Sequence, residues 1–248
     1  MSIGTFYGIG VGPGDSEWVT VKAARILAKC RHVCVPRSRV AADSVALEIA
    51  RPHLPTDAII HEITFPMSSD VATLHQSWQQ AAQEVYAILK TGEDCTFLTL
   101  GDALLYSTYI YLLRELRQLD AAVPVVTVPG ITAFSAAAAL TNFPIGEGKQ
   151  LVTIVPAADD LAPFRRALDG GGTVVLMKVG KRLQKVLDEL DRRGLIEKSV
   201  FVSRAGMPDQ RVEIDLNNLR GASEETGYLS IMLIQAGSGS LGAGVEQP

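Results

Sequence analysis

The sequence predicts an α/β protein built from two αβα domains with mostly parallel or mixed sheets, on three observations. Short runs rich in Val, Ile, Leu and Thr, bounded by Gly, Pro or Asp, alternate with helical patterns almost from end to end. Ten such runs fall within 248 residues, enough for a separate sheet in each half. The first run ends in Gly8-Ile9-Gly10-Val11-Gly12-Pro13-Gly14-Asp15 and opens onto a helical pattern. Glycine-rich strand-to-helix turns of this kind let a backbone approach a ligand and aim helix N–H groups at it.

In chain order, strands are expected over 3–9, 32–36, 58–63, 95–100 and 124–128, then over 151–156, 173–177, 199–204, 211–215 and 229–235. Helices are expected over 17–30, 43–51, 71–90 and 107–119, then over 131–141, 160–169 and 180–193. The pattern is clearest over 71–90, where Leu74, Trp78, Ala81, Val85 and Ile88 recur at helical spacing and Gly92 stops the run. The domain break is placed where a charged helix end meets Ala121-Ala122-Val123-Pro124. This gives domains over 1–122 and 123–236, with the Gly/Ser-rich 237–248 as a flexible tail.

Composition narrows the function. Lys plus Arg number 23 against 27 Asp plus Glu, a net charge of −4 that argues against a general nucleic-acid binder. Three cysteines are too few to staple a small secreted fold. The N-terminus lacks the basic-then-apolar pattern of a signal peptide. Residues 121–146 carry no charged side chain, yet Pro129-Gly130 divides them into pieces shorter than the roughly 20 apolar residues that span a bilayer. A cytoplasmic protein with no membrane partner is the expectation.

Three motifs sit at strand exits. In the first, G-x-G-x-x-G started at Gly8 requires glycine where Pro13 stands, and started at Gly10 requires it at Asp15, so the dinucleotide fingerprint fails in both registers. The same turn also reads as a purely structural one with Asp15 capping the helix. The second is Thr99-Leu100-Gly101-Asp102-Ala103-Leu104-Leu105-Tyr106-Ser107-Thr108, an acidic turn where open α/β sheets bind ligands. Helix capping by Asp102, Ser107 or Thr108 is its structural alternative. The third is Val128-Pro129-Gly130-Ile131-Thr132-Ala133, leading into the small side chains of Ser135–Ala139, which permit close packing of backbone or ligand. Basic residues also gather at strand exits: Arg37 and Arg39, then Lys178, Lys181 and Arg182, then Arg204. Their shared placement points to an anionic ligand. Cys30-Arg31-His32-Val33-Cys34 has two thiols and a histidine but no second ligand cluster, so a buried strand explains it and no metal is expected.

Together the motifs resemble the tetrapyrrole methylase family. The matching parts are Gly10-x-Gly12-Pro13-Gly14-Asp15 with Thr20 and Ala23, then Gly101-Asp102, then Pro129-Gly130-Ile131-Thr132-Ala133, over roughly residues 3–236. Thr99–Asp102 leading to Tyr106–Tyr109, with Phe65-Pro66-Met67 and Trp78, looks most like the branch of the family that acts on precorrin-2 at C-20. Ala103 stands where the family usually has proline. The resemblance implies an active-site cleft between two α/β domains, a homodimer, and S-adenosyl-methionine as methyl donor. Carried over by motif, the donor pocket includes Pro13, Leu100, Gly101, Asp102, Leu105, Thr132 and Ala133, with Met177 and Ala205 at further contact positions and Ser107 and Thr108 added. A reduced tetrapyrrole with several carboxylates would give Arg37, Arg39, Lys178 and Lys181 something to bind. The sequence names no clear base; Asp102 is the candidate. The alternatives are a sibling methylase acting on uroporphyrinogen III, a nicotinamide-dependent oxidoreductase and a non-catalytic binding module.

Overall fold

The computed structural model describes residues 2–37, 44–65, 70–156 and 160–237. Arg39, the Pro66-Met67 pair and all of the tail beyond Gly237 lie outside them. The chain divides into two compact units, Met1–Thr132 and Ala133–Pro248.

The first unit holds five strands, β1 (Phe6–Gly10), β2 (His32–Arg37), β3 (Ile59–Thr64), β4 (Cys95–Thr99) and β5 (Val125–Val128). They form one sheet in the order β3-β2-β4-β1-β5, and every pair is parallel. Helices α1 (Val21–Leu27) and α2 (Val45–Ala50) share a buried cluster with Ile9, Val33 and Leu98. Helices α3 (Val71–Leu89) and α4 (Tyr109–Leu119) share another with Phe6, Cys34 and Phe97. Successive residues Phe97 and Leu98 thus serve opposite cores, the period-two alternation of a strand buried on both faces.

The helix expected over 17–30 is interrupted. Asp15 accepts from the Glu17 N–H and caps a single 3-10 turn, and Thr20 accepts from the Ala23 N–H to start α1 afresh. The two caps in quick succession satisfy the orphan donors of two starts, which is why one long helix does not form. The strand expected over 124–128 joins the first sheet through its pairing with β1, so the units part after Thr132 and not after residue 122. Its apolar register against Phe6–Ile9 outweighs the sequence break at Ala121–Pro124.

In the second unit, β6 (Val152–Pro156), β7 (Thr173–Met177), β8 (Ser199–Ser203), β9 (Arg211–Glu213) and β10 (Ser230–Gln235) lie in the order β6-β7-β10-β8-β9. Only β6 and β7 pair in parallel; β10 runs antiparallel to both β7 and β8, and β9 antiparallel to β8. For β9, loop length accounts for this. A parallel return needs a crossover of about a dozen residues or more, and residues 204–210 are too few to bring β9 back in parallel. Helices α5 (Ala133–Thr141), α6 (Ala162–Asp169) and α7 (Leu183–Arg192) complete the unit, with Phe164, Leu187, Leu190, Phe201 and Met232 in its core.

Candidate active site

Strand order decides where the first-unit motifs meet. Because β4 and β5 flank β1 in parallel, three neighbouring strands end on the same edge of the sheet, and each ends in one of the motifs. Past the strands, Gly12 and Gly101 exchange backbone hydrogen bonds of 3.1 and 2.8 Å, knitting the first motif to the second. The third closes onto both. A Cβ on Gly130 would lie 2.1 Å from the Gly101 carbonyl oxygen, and one on Gly10 would lie 2.5 Å from the Gly130 nitrogen. No side chain fits at either position, so here glycine is a requirement of packing.

Gly101 needs its glycine for a different reason. Its φ of +74° is left-handed, and a Cβ built there would meet nothing within 4 Å. The backbone at Gly101 therefore presents an open face. Asp102 fastens the loops beside it: one carboxylate oxygen accepts from the Leu104 N–H at 2.9 Å and the other from the Gly130 N–H at 3.0 Å. Leu104 and Tyr106 are exposed, and Tyr106 holds a φ of +53°. A side-chain-bearing residue in that region carries strain of the kind that gathers at functional sites.

Pro13 and Gly101 are buried, and Leu100, Asp102, Leu105, Thr108 and Thr132 are half-buried around this edge. Ser107 turns inward, its hydroxyl 3.3 Å from that of Thr99 and accepting from the Tyr109 N–H, which starts α4 two residues later than expected. Tyr109 lies beneath the site, fully buried, with its hydroxyl 2.7 Å from that of Thr127; its ring occupies the space that a Cβ on Gly8 would need.

In the second unit, β7 and β8 both run antiparallel to β10 and so end on one edge. Met177 closes β7, and Ala205 follows β8 by two residues and is buried. Lys178 and Arg204, next to them, adopt φ values of +58° and +53°. The edge is drawn tight by Gly227, whose Cβ would lie 2.1 Å from the Gly180 carbonyl oxygen. Arg204 pairs with Asp209 at 2.6 Å and Lys181 with Glu224 at 3.8 Å. Arg37 lies 3.6 Å from Glu62, both side chains well exposed, an ion pair weak enough for a ligand carboxylate to replace.

The cysteines and histidines do not converge on a metal. The Cys30 thiol points at the His32 and Asp94 carbonyls, and burial pushes it up to about 11. Cys34 and Cys95 face each other with sulfurs 3.3 Å apart, and His32 and His61 share a 2.9 Å hydrogen bond. Among the described residues no group of three or more His, Cys, Asp or Glu is arranged to hold a metal ion. Among the polar features that sequence reasoning missed is Glu115, which is 4% exposed on α4 with His75 of α3 3.2 Å away. Spacing along the chain carries no signal for a pair 40 residues apart.

These features define an α/β protein whose parallel sheet ends, at its carboxyl edge, in bare glycine backbone, the edge at which open α/β sheets bind ligands. The chain belongs to the tetrapyrrole (corrin/porphyrin) methylases, whose sequence model matches residues 5–219. It is 33% identical over 208 residues to the cobalt-precorrin-2 C(20)-methyltransferase of Salmonella typhimurium, covering 84% of this chain and 86% of the relative. It is 32% identical to the probable cobalt-precorrin-2 C(20)-methyltransferase of Methanocaldococcus jannaschii, over 92% and 95% of the two chains. Among solved structures, a cobalt precorrin-4 methyltransferase superposes with a TM-score of 0.72 at 19% identity, covering 93% of this chain and 94% of the other. A uroporphyrin-III C-methyltransferase from Thermus thermophilus, complexed with S-adenosyl-homocysteine, gives 0.64 at 21%, covering 95% and 98%. At these identities the two superpositions establish the shared fold.

Proposed function

We propose that the chain transfers a methyl group from S-adenosyl-methionine to C-20 of precorrin-2, or of its cobalt-bearing form, during corrin-ring biosynthesis. The observation that carries this is the identity of 32–33% to relatives named for that reaction, running through most of both chains.

The residues present fit the donor. Gly101 offers an open left-handed backbone face, and Leu100, Leu105 and Thr132 are half-buried residues of the motifs that meet there. In the second unit, Met177 and Ala205 are the further donor contacts in this proposal. When bound, the donor supplies an activated sulfonium methyl group, and the acceptor carbon of a reduced tetrapyrrole is already enamine-like. The protein therefore needs no nucleophile of its own. Its task is alignment, and holding two reactants at near-attack geometry lowers a barrier by about 7–11 kcal/mol. The Gly10–Gly101–Gly130 packing supplies the rigidity that such alignment demands.

Arg37, Lys178 and Lys181, with Arg39 beyond the described residues, would hold the acceptor's carboxylates as exposed cations at strand exits. A homodimer acting in the cytoplasm completes the proposal and rests on the family resemblance. Among the described residues no helix is long and apolar enough to cross a membrane.

Calorimetry with S-adenosyl-homocysteine and, separately, NAD tests the donor. Binding of the former is expected, and binding of NAD alone overturns the methylase reading. Incubation with precorrin-2 and with cobalt-factor II, followed by mass spectrometry and NMR, tests the acceptor. A gain of one methyl at C-20 is expected, whereas methylation of uroporphyrinogen III in its place favours the sibling activity. Both metal states belong in the assay, because a Sinorhizobium relative named precorrin-2 C(20)-methyltransferase is also 26% identical over 94% of the chain.

A further inference from the structure

We infer that Asp102 is a positioning residue: its carboxylate clasps the β4 and β5 loops across the end of β1, and it does not act as the base that removes the proton after methyl transfer. The inference rests on the methylase reading for its consequence and on geometry for its substance.

β4 and β5 are not neighbours in the sheet, since β1 lies between them and no ladder joins the two. Their loops meet only after β1 has ended at Gly10. There the Gly101 carbonyl and Gly130 close over Gly10 so tightly that a Cβ on Gly130 would lie 2.1 Å from that oxygen. An approach of two backbones without a ladder needs something to hold it, and Asp102 spans it. One oxygen takes the Leu104 N–H at 2.9 Å, which fixes the turn on its own side. The other takes the Gly130 N–H at 3.0 Å, which fixes the far loop. Pro129 just before it has no N–H, so Gly130 offers the first backbone donor after β5.

Hydrogen bonds from backbone N–H groups to an ionised carboxylate are charge-assisted and roughly twice as strong as neutral ones. They also commit one acceptor site on each oxygen to the loops and so fix the direction in which the carboxylate faces. A group engaged on both oxygens serves the site by holding Leu100 and Gly101 on one side and Ile131 and Thr132 on the other at fixed separation. The consequence lies in donor affinity and not in proton transfer.

The discriminating variant is Asp102→Asn, which keeps one acceptor oxygen and sets an NH2 group against the other backbone N–H. The expected result is a weaker S-adenosyl-homocysteine complex, by roughly tenfold or more from one lost charge-assisted bond. The donor KM should rise in parallel. At saturating donor, kcat should change little and its pH profile should keep the wild-type acid limb. Wild-type donor affinity together with a collapsed kcat and a lost acid limb overturns the inference and makes Asp102 the base. Amide hydrogen exchange on the intact wild-type protein gives a second reading that needs no variant to fold: the Gly130 amide should be protected well beyond an exposed loop amide. Exchange at the rate of an open loop also overturns the clasp. Neither the binding nor the exchange measurement depends on the tetrapyrrole, so failure of the C-20 assignment would be seen separately in the methylation assay.

Discussion

The two sheets end differently at the edges that carry the candidate site residues. In the first unit, the first residues to turn left-handed beyond β1 and β4 are Gly12 and Gly101, at +81° and +74°. In the second, the residues that do so directly after β7 and β8 are Lys178 and Arg204. At these exits one edge turns on bare backbone and the other on cationic residues. Glycine adopts this region without penalty, while residues with a Cβ pay about 1–3 kcal/mol for it and persist there only when their surroundings hold them. The first edge therefore leaves room for close approach to its backbone, and the second holds long charged side chains in a strained conformation where strands stop. Under the proposed function, close backbone approach to the donor belongs with the first, while cations for the acceptor carboxylates stand on both, Arg37 on the first and Lys178 and Lys181 on the second.

The largest effect should come from filling the closed glycine contact. Gly130→Ala should cost about 3 kcal/mol, because its Cβ must displace the Gly101 carbonyl, and S-adenosyl-homocysteine binding should vanish with it. Thermal melting and calorimetry on the same sample check both. Gly101→Ala sharpens the contrast. Its Cβ meets no atom, so only the left-handed φ is penalised, at about 1–2 kcal/mol, while the donor face is blocked. Melting that falls as far for Gly101→Ala as for Gly130→Ala would show that the open face is not a ligand face.

The units also bury carboxylates differently. Glu115 in the first faces the half-exposed His75. Glu189 in the second, 2% exposed, receives Arg165 at 2.9 Å, Arg192 at 2.5 Å and Arg193 at 2.7 Å, with Arg193 also bound to Asp169. His75→Ala leaves the Glu115 carboxylate without this partner and should destabilise by about 2 kcal/mol in urea unfolding at neutral pH. Loss of one arginine from Glu189 should cost less, about 1 kcal/mol for Arg165→Ala, because two remain. Burial pushes the Glu189 carboxyl up, but the Arg193 and Arg165 hydrogen bonds outweigh it and hold the group at about 2, below its ordinary 4.5. Its stabilising contribution is complete above about pH 4.5 and disappears as pH falls toward 2. Acid melts from pH 6 to 2 should thus show Arg165→Ala and wild type converging at the low end. A gap that stays constant through that range would remove Glu189 from the account.

The smallest effect is expected at Arg204. Arg204→Gly relieves a left-handed residue and removes the Asp209 pair, so the two changes should nearly cancel, within about 1 kcal/mol by thermal melting. A large loss would show that this edge depends on the arginine for its fold, and the contrast between bare and charged edges would lose its meaning. Lys178→Ala should weaken the acceptor KM while leaving S-adenosyl-homocysteine affinity within twofold or so of wild type, a separation of pockets that titration with each ligand reads directly.

Much of this was legible in particular residues. Val33, Val35, Phe97 and Leu98 announce strands buried on both faces, and the Leu74–Ile88 spacing announces α3. The capping role of Asp15 was readable from its position, yet the second cap at Thr20 that breaks the helix was not singled out, because a threonine inside a helical pattern is ambiguous until its neighbour's N–H is seen to lack another partner. The break between units was misplaced for a similar reason: Pro124 interrupts the chain locally, but β5 belongs to the sheet whose register it fits.

By itself the sequence determined that this is an α/β chain with its motifs at strand exits, because side-chain periodicity and glycine placement are local consequences of strand and helix geometry. It also settled the family, since the motifs occur together in order. Only the tertiary structure decided which motif touches which. Gly10, Gly101 and Gly130 look alike in a row of letters, yet two are there because backbone fills the space and one because its face is open. Asp102 likewise finds its second partner 28 residues away, across a strand that separates the two loops it joins. Contacts of that kind depend on strand order, and strand order is a property of the folded sheet.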